Sequence, residues 1–343
     1  MARPSRPDAH SAELSRGSAD LPRGSADLPK GSVELPKGSV ELSYEGEIDW
    51  RSTVAWFAKR AIAGVEATPT GSDGMPRYLR TVAIGGEPAV IELSESPGEG
   101  TITLSVDAPQ PPDCDDVVTR VRSMIRLDTD QLSAVEHLSG DPVLAPLVEH
   151  APGLRPPGCW SSFETTVRAV LGQQVSVTAA TTVAARICAA HGRAVDGFES
   201  CRLSYLFPEP EALADADLNG LGLTTRRAAT ISTVARAVAD GDLVPPGCSG
   251  DAGPELAMFL EGLAAIKGIG EWTTGYLALR AGSADAFPAG DLALREAWGR
   301  LTGSPRPSAA ELTRIAEAWR PWRSFAAIHL WSSLDRVARQ GAP

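Results

Sequence analysis

The hydrophobic periodicity of this chain changes once, near Leu127, and does not change back. Upstream, the runs 78–84, 89–93 and 101–106 alternate apolar with polar residues and are separated by Gly-rich turns, which predicts antiparallel strands. A helical pattern precedes them. It is opened by Asp49 as N-cap and runs to about Ala63, with Val54, Phe57, Ala58, Ala61 and Ile62 on one side. Another follows over 113–126, where Val117, Val118, Val121, Met124 and Ile125 are apolar. One helix, several antiparallel strands and a second helix make a small α+β domain. Downstream every periodic segment is helical: 130–138, 142–150, 161–171, 176–191, 210–216, 225–240, 254–265, 271–281, 291–301, 308–318 and 323–339. The expected organisation is therefore an α+β N-terminal domain over 42–126, an antiparallel sheet with helices, followed by an all-α region over 127–343.

Residues 1–41 read differently. From Leu14 they repeat with period seven, as LSRGSAD, LPRGSAD, LPKGSVE and LPKGSVE. The apolar residues do not take the 3–4 spacing of a helical seam, and nearly every repeat carries Gly and Pro. A disordered tail is expected, with a short docking segment as the functional alternative.

The chain of 343 residues is 43% hydrophobic and 22% charged, an ordinary balance for a protein that buries real cores. No run approaches the ~20 apolar residues of a membrane span, and the N-terminus lacks the apolar core of a secretory signal. A cytoplasmic protein is expected. Cys114, Cys159, Cys188, Cys201 and Cys248 are scattered, odd in number and form no CxxC, which argues for isolated thiols and against disulfides, zinc or an iron–sulfur cluster. The net charge of −11 argues against coating nucleic acid through many Lys/Arg–phosphate contacts, though not against a local amide-lined or basic face.

Two segments carry chemistry. The first, LAAIKGIGEWTTGY over 263–276, ends one helix, turns through Gly268, Ile269 and Gly270, and starts another. Glycines permit positive φ and leave backbone N–H groups uncovered, and such groups beside a helix N-terminus suit a phosphate without net positive charge. The second, DAFPAGDLALR over 285–295, follows after the length of one helix and a loop, which can return the chain to the hairpin's side. Asp291 opens a helical pattern there, as a cap that can also present a carboxylate.

Together with PGLRPPG (152–158), FETTVRAVLGQQVS (163–176) and WRPWRSFAAIHLW (319–331), these segments resemble the helix-hairpin-helix DNA glycosylase superfamily. Within it they are most similar to the DNA-3-methyladenine glycosylase II, or AlkA, type. The resemblance runs from about Leu42 to Leu334. It implies all-α helix-hairpin-helix glycosylase domains behind the α+β domain, and Asp291 as the catalytic carboxylate. It implies a base pocket walled by Trp272, Tyr276 and Trp56, whose electron-rich rings suit a flipped cationic base. Leu292 stands where the family can place an aromatic ring, a departure that bears on base preference. Gly268, Ile269, Gly270 and Thr273 would meet DNA at the hairpin, and Gln174, following Gln173, would fill the gap left by the flipped base. Lys267 is read as a solvent-facing or phosphate-near charge, and Arg226 and Arg227 as further phosphate contacts or plain surface.

The resemblance also sets the reaction. Members that cut the DNA backbone carry a Lys two residues past the hairpin's last glycine; here that residue is Trp272, which cannot form a Schiff base. A monofunctional glycosylase is expected, acting on double-stranded DNA containing alkylated bases such as 3-methyladenine and 7-methylguanine, as a monomer. No cofactor is required, though a structural Na⁺ or K⁺ could sit on the backbone carbonyls of Ala264, Ile266 and Ile269. Two other readings stand beside it: a non-catalytic helix-hairpin-helix DNA-binding or damage-sensing protein, and an oxidised-base glycosylase. A fused methyl-acceptor module needs a reactive Cys, and none precedes Cys114, so a stand-alone enzyme is expected.

Overall fold

A computed structural model describes residues 38–96, 100–108, 115–247 and 253–340. Residues 1–37 of the repeat segment, with Cys114 and Cys248, lie outside them. The sheet is formed by β1 (Ser39–Ser43), β2 (Glu66–Ala67), β3 (Tyr78–Ile84), β4 (Glu87–Glu95) and β5 (Thr101–Asp107), in the order β1-β5-β4-β3-β2 with every pair antiparallel. The sheet therefore begins inside the expected tail. Ser39, Val40 and Glu41 of the last repeat form β1, because Val40 and Leu42 point into the core while their neighbours face outward.

Helix α1 (Trp50–Arg60) precedes β2, and α2 (Asp115–Met124) follows β5. Both pack on one face of the sheet around Trp50, Val54, Phe57, Tyr78, Ile91, Leu104 and Val121. The expectation that α1 reaches Ala63 is corrected: helical backbone stops at Arg60, Ala61 is extended, and Ile62 turns away into a second core. Five consecutive residues of β3, Tyr78 to Val82, are buried, so both sides of the pleat are covered; Cys201, Leu203 and Phe198 pack against Leu79 and Val90 on the second face.

The helices that follow are α3 (Gln131–Leu138), α4 (Ala145–His150), α5 (Ser162–Gly172), α6 (Val177–His191), α7 (Pro210–Ala214), α8 (Thr225–Ala239), α9 (Pro254–Ala264), α10 (Glu271–Ala281), α11 (Leu292–Thr302), α12 (Ala309–Ala316) and α13 (Arg323–Gln340). Side-chain oxygens start many of them. Asp49, Asp130, Ser161, Ser176, Thr224, Asp291 and Ser308 each accept an amide N–H of the first turn. The helices divide between two cores. One gathers α5 to α10; the other gathers α3, α4 and α11 to α13, with Leu279 of α10. Helix α10 touches both, and the cleft opens beside it.

Helix α5 is buried nearly all round, Glu164, Thr165 and Thr166 included. Glu164 pairs with Arg80 of β3 at 2.7 Å and with Arg168 one turn on at 2.6 Å, and Arg168 reaches Glu66 of β2 at 2.8 Å. Tyr78 donates to Glu66 at 2.6 Å. Buried charges are tolerated only when each has partners, and here they come from both sides of the junction between sheet and helices. Burial alone would raise the Glu66 carboxyl, but Arg168 and Arg80 hold it well below the usual carboxylate range.

Candidate active site

The hairpin between α9 and α10 is shaped by its neighbours. Gly268 has φ +104°, and a Cβ there would lie 2.3 Å from Oγ1 of Thr230, which itself donates to the Lys267 carbonyl. Gly270 has ordinary extended backbone and open space around it. It caps α10 without any side-chain acceptor, so the first amides of α10 keep their hydrogen-bonding capacity for a ligand.

Gln173 braces this turn from α5. Its Nε2 donates to the Gly268 carbonyl at 2.9 Å and to Oγ1 of Thr273 at 3.2 Å, while Arg227 donates to its carbonyl. Thr273 and Ile269, expected at the DNA face, are buried: Ile269 packs into the core of α5 to α10, and Oγ1 of Thr273 accepts from Gln173. Gln174 is exposed and held at φ +56°, an uncommon conformation for a side-chain-bearing residue, at the rim of the cleft. Lys267 and Arg226 are exposed.

The cleft has a volume of about 1080 Å³ and contains Asp291 together with Trp56, Trp272, Tyr276 and Trp331. Asp291 is at once cap and clamped anion. Oδ1 accepts from the Leu294 amide at 3.0 Å and from Trp331 Nε1 at 3.0 Å, and Oδ2 accepts from Trp272 Nε1 at 2.9 Å. Donors from α10, α11 and α13 thus fix the carboxylate plane. Trp272 and Tyr276, four residues apart, stack at 5.6 Å and 10°. Trp331 meets Tyr276 edge-on at 6.3 Å and lies 5.5 Å from Trp56. Leu292 is 55% exposed and lines the mouth.

Several groups here escaped the sequence reading. Trp331 supplies a wall and a donor. Arg280 donates to the Tyr276 hydroxyl at 2.7 Å and to the Pro157 and Gly158 carbonyls at 2.8 and 2.7 Å. Arg60 lies 3.3 Å from the ring centroid of Trp56. Burial would raise the Tyr276 phenol, but the Arg280 and Arg60 guanidiniums bring it below its ordinary value. Lys59, the lysine among the described cleft residues, pairs with Asp335 at 2.6 Å.

A glycine hairpin feeding a helix whose rings wall a carboxylate-bearing cleft defines a helix-hairpin-helix architecture. Residues 39–161 match the AlkA N-terminal domain, and residues 167–321 match the HhH-GPD superfamily base excision DNA repair protein model. The chain belongs to this HhH-GPD superfamily, in the branch that carries the AlkA N-terminal domain. It is 32% identical over 295 residues to DNA-3-methyladenine glycosylase 2 of Escherichia coli, covering 84% of this chain and 95% of that protein. It is 37% identical over 290 residues, 83% of this chain, to a probable bifunctional transcriptional activator/DNA repair enzyme AlkA of Mycobacterium tuberculosis, and spans 55% of that protein's length. The 3-methyladenine DNA-glycosylase from Archaeoglobus fulgidus shares the fold, with a TM-score of 0.71 at 23% identity over 85% of this chain and 97% of that one.

Proposed function

We propose that this protein is a monofunctional DNA glycosylase that flips alkylated bases, 3-methyladenine and 7-methylguanine among them, out of duplex DNA and hydrolyses the N-glycosidic bond in base-excision repair. The observation that carries this reading is the Asp291 carboxylate, held by two indole N–H groups inside an aromatic cleft beside the hairpin. When the bond between sugar C1′ and the base nitrogen breaks, its electron pair leaves with the base and positive charge develops on the sugar. A fixed carboxylate stabilises that charge without reorganising, and water then adds at C1′, giving up one proton to the Asp291 carboxylate or to solvent and leaving a hydroxyl on the sugar. The backbone amides at the start of α10 grip a phosphate of the same strand, and Gln174 occupies the gap in the stack.

Trp272 also argues against lyase chemistry, because the amine that would attack the sugar is missing from that position. The non-catalytic reading needs the hairpin alone and leaves the clamped Asp291 unexplained. On our reading the protein acts as a monomer on double-stranded DNA in the nucleoid, and needs no cofactor. Among the described residues no helix is long and apolar enough to cross a membrane. The carbonyls of Ala264, Ile266 and Ile269 are neutral oxygen donors, the kind of set that a monovalent cation such as Na⁺ or K⁺ would take. Ile266 already accepts from the Ile269 amide at 3.1 Å, which leaves one lone pair for the ion.

The test is base release from methylated duplex DNA by wild type and Asp291→Asn. Free methylpurine from wild type, a loss of about 10²-fold or more in the variant, and strand breaks only after alkali are expected. DNA binding without release on any alkylated duplex would return Asp291 to a purely capping role.

A further inference from the structure

Two of the aromatic walls of the cleft already carry a cation of the protein's own. The face of Trp56 is covered by the Arg60 guanidinium at 3.3 Å, and the ring of Tyr276 has the Arg280 guanidinium 5.6 Å from its centroid. A cation–π slot filled by the protein's own cation offers no such attraction to a ligand, and it repels a positively charged one.

The four cationic side chains of the deeper cleft are not equivalent. Lys59 is paired with Asp335, and Arg168 is committed to Glu66, Glu164 and the Arg60 carbonyl. Arg280 directs its donors at the Pro157 and Gly158 carbonyls and the Tyr276 hydroxyl. Arg60 makes only a long contact of 3.3 Å from Nη1 to the Trp56 carbonyl and an interaction with the Tyr276 hydroxyl. Among the described residues it forms no ion pair within 4.0 Å. A guanidinium carries five donors, so Arg60 keeps N–H groups for a ligand. Beside it, Nε1 of Trp56 is buried without a hydrogen-bond partner. Of the carboxylates in the cleft, Asp291 already receives three N–H groups, and Asp335, whose charge acts on Arg60, is paired with Lys59.

The corner of the cleft around Arg60 and Trp56 is therefore rich in hydrogen-bond donors, and Arg60 adds to it a charge that forms no ion pair among the described residues. Burial brings the Arg60 guanidinium down to about 10, still high enough to keep its charge at neutral pH.

We infer that Arg60 is a specificity-determining residue, which favours neutral bases presenting acceptor atoms, a purine carbonyl above all, and penalises bases that carry a positive charge. This deepens the glycosylase reading and rests on it. Cationic methylpurines need little help, because their glycosidic bond is already weak. Neutral bases lack that advantage, and donors that hold their acceptor edge supply part of what is missing.

The experiment compares single-turnover release of hypoxanthine, neutral with a carbonyl oxygen, and of 3-methyladenine, cationic in DNA. The proteins are wild type, Arg60→Met, which keeps the apolar stem over Trp56, and Arg60→Lys, which keeps the charge. Thermal unfolding and binding to an abasic-site duplex report on folding. In Arg60→Met the hypoxanthine to 3-methyladenine ratio should fall about tenfold or more, the size of one charge-assisted hydrogen bond, and in Arg60→Lys by less. Should Arg60→Met not fold, Arg60→Gln carries the same expectation. An unchanged ratio in a folded, DNA-binding variant overturns the inference while leaving the glycosylase reading intact. Failure of wild type to release either base overturns both.

Discussion

Trp331 donates its indole N–H to Oδ1 of Asp291 at 3.0 Å, from a helix forty residues further along the chain. Trp272 makes the matching contact to Oδ2 at 2.9 Å. The carboxylate plane is therefore set by two rings that also wall the cleft, so on the proposed function positioning the base and orienting the carboxylate would be one task. Phe at either position keeps most of the wall and removes one donor. Trp331→Phe and Trp272→Phe should each lower the single-turnover rate about 10-fold to 100-fold, with a smaller effect on binding to abasic DNA. Equal losses in rate and binding would show that the rings serve packing alone.

The two hairpin glycines should part company on substitution. Gly268 combines a positive φ with a Cβ position 2.3 Å from Thr230, so Gly268→Ala should cost roughly 1–3 kcal/mol of stability. Gly270 has neither constraint, and Gly270→Ala should leave the melting temperature nearly unchanged. Its methyl group would stand among the amides at the start of α10, so duplex binding should still weaken. Thermal unfolding and a salt titration of DNA affinity, run on both variants, check this; normal binding by Gly270→Ala would move the phosphate site elsewhere.

Gln174 is held in left-handed backbone at φ +56°, which costs a side-chain-bearing residue about 1 kcal/mol. Gln174→Gly should be no less stable than wild type and slower at releasing a base from paired duplex. The deficit should shrink when the target base is mismatched and easier to extrude. A uniform deficit on paired and mismatched substrates would contradict the wedge.

The junction between sheet and helices should be acid-sensitive. Glu66 is held below its ordinary range by Arg168 and Arg80, so it contributes stability above the unfolded carboxyl value of about 4.3 and loses that contribution as pH falls below it. Glu66→Gln leaves Arg168 with one buried carboxylate partner and should cost about 3–5 kcal/mol at neutral pH, with less further loss below pH ~4 than wild type. Parallel melting-temperature curves for the two proteins between pH 7 and 3 would show that ionisation of Glu66 is not linked to folding.

The helical part was legible in the sequence because its signals are local. Ser161, Ser176, Asp291 and Ser308 announce helix starts within three residues of the amides they cap. The hairpin and Asp291 were legible as motifs for the same reason. What stayed hidden depends on contacts made across the chain. Trp331 sits in an apolar helix with nothing local to mark it as a donor to Asp291. Arg60 ends a helix expected to continue, and its position over Trp56 is set partly by Arg168, 108 residues away. Strand β1 alternates cleanly, but its first three residues close a Gly- and Pro-rich repeat whose composition signals disorder. The two-residue β2 is too short to produce any period.

Helix α10 starts at the hairpin and carries Trp272 and Tyr276 within its first two turns. The amides that would seat a phosphate and the rings that would face its nucleotide thus share one rod, with no joint between them. On this geometry the grip on the phosphate and the placing of the rings would not be adjusted separately. On the proposed function helix α10 would work as a fixed gauge, and a base stiffly stacked in sound DNA would fail it before its chemical identity is ever read.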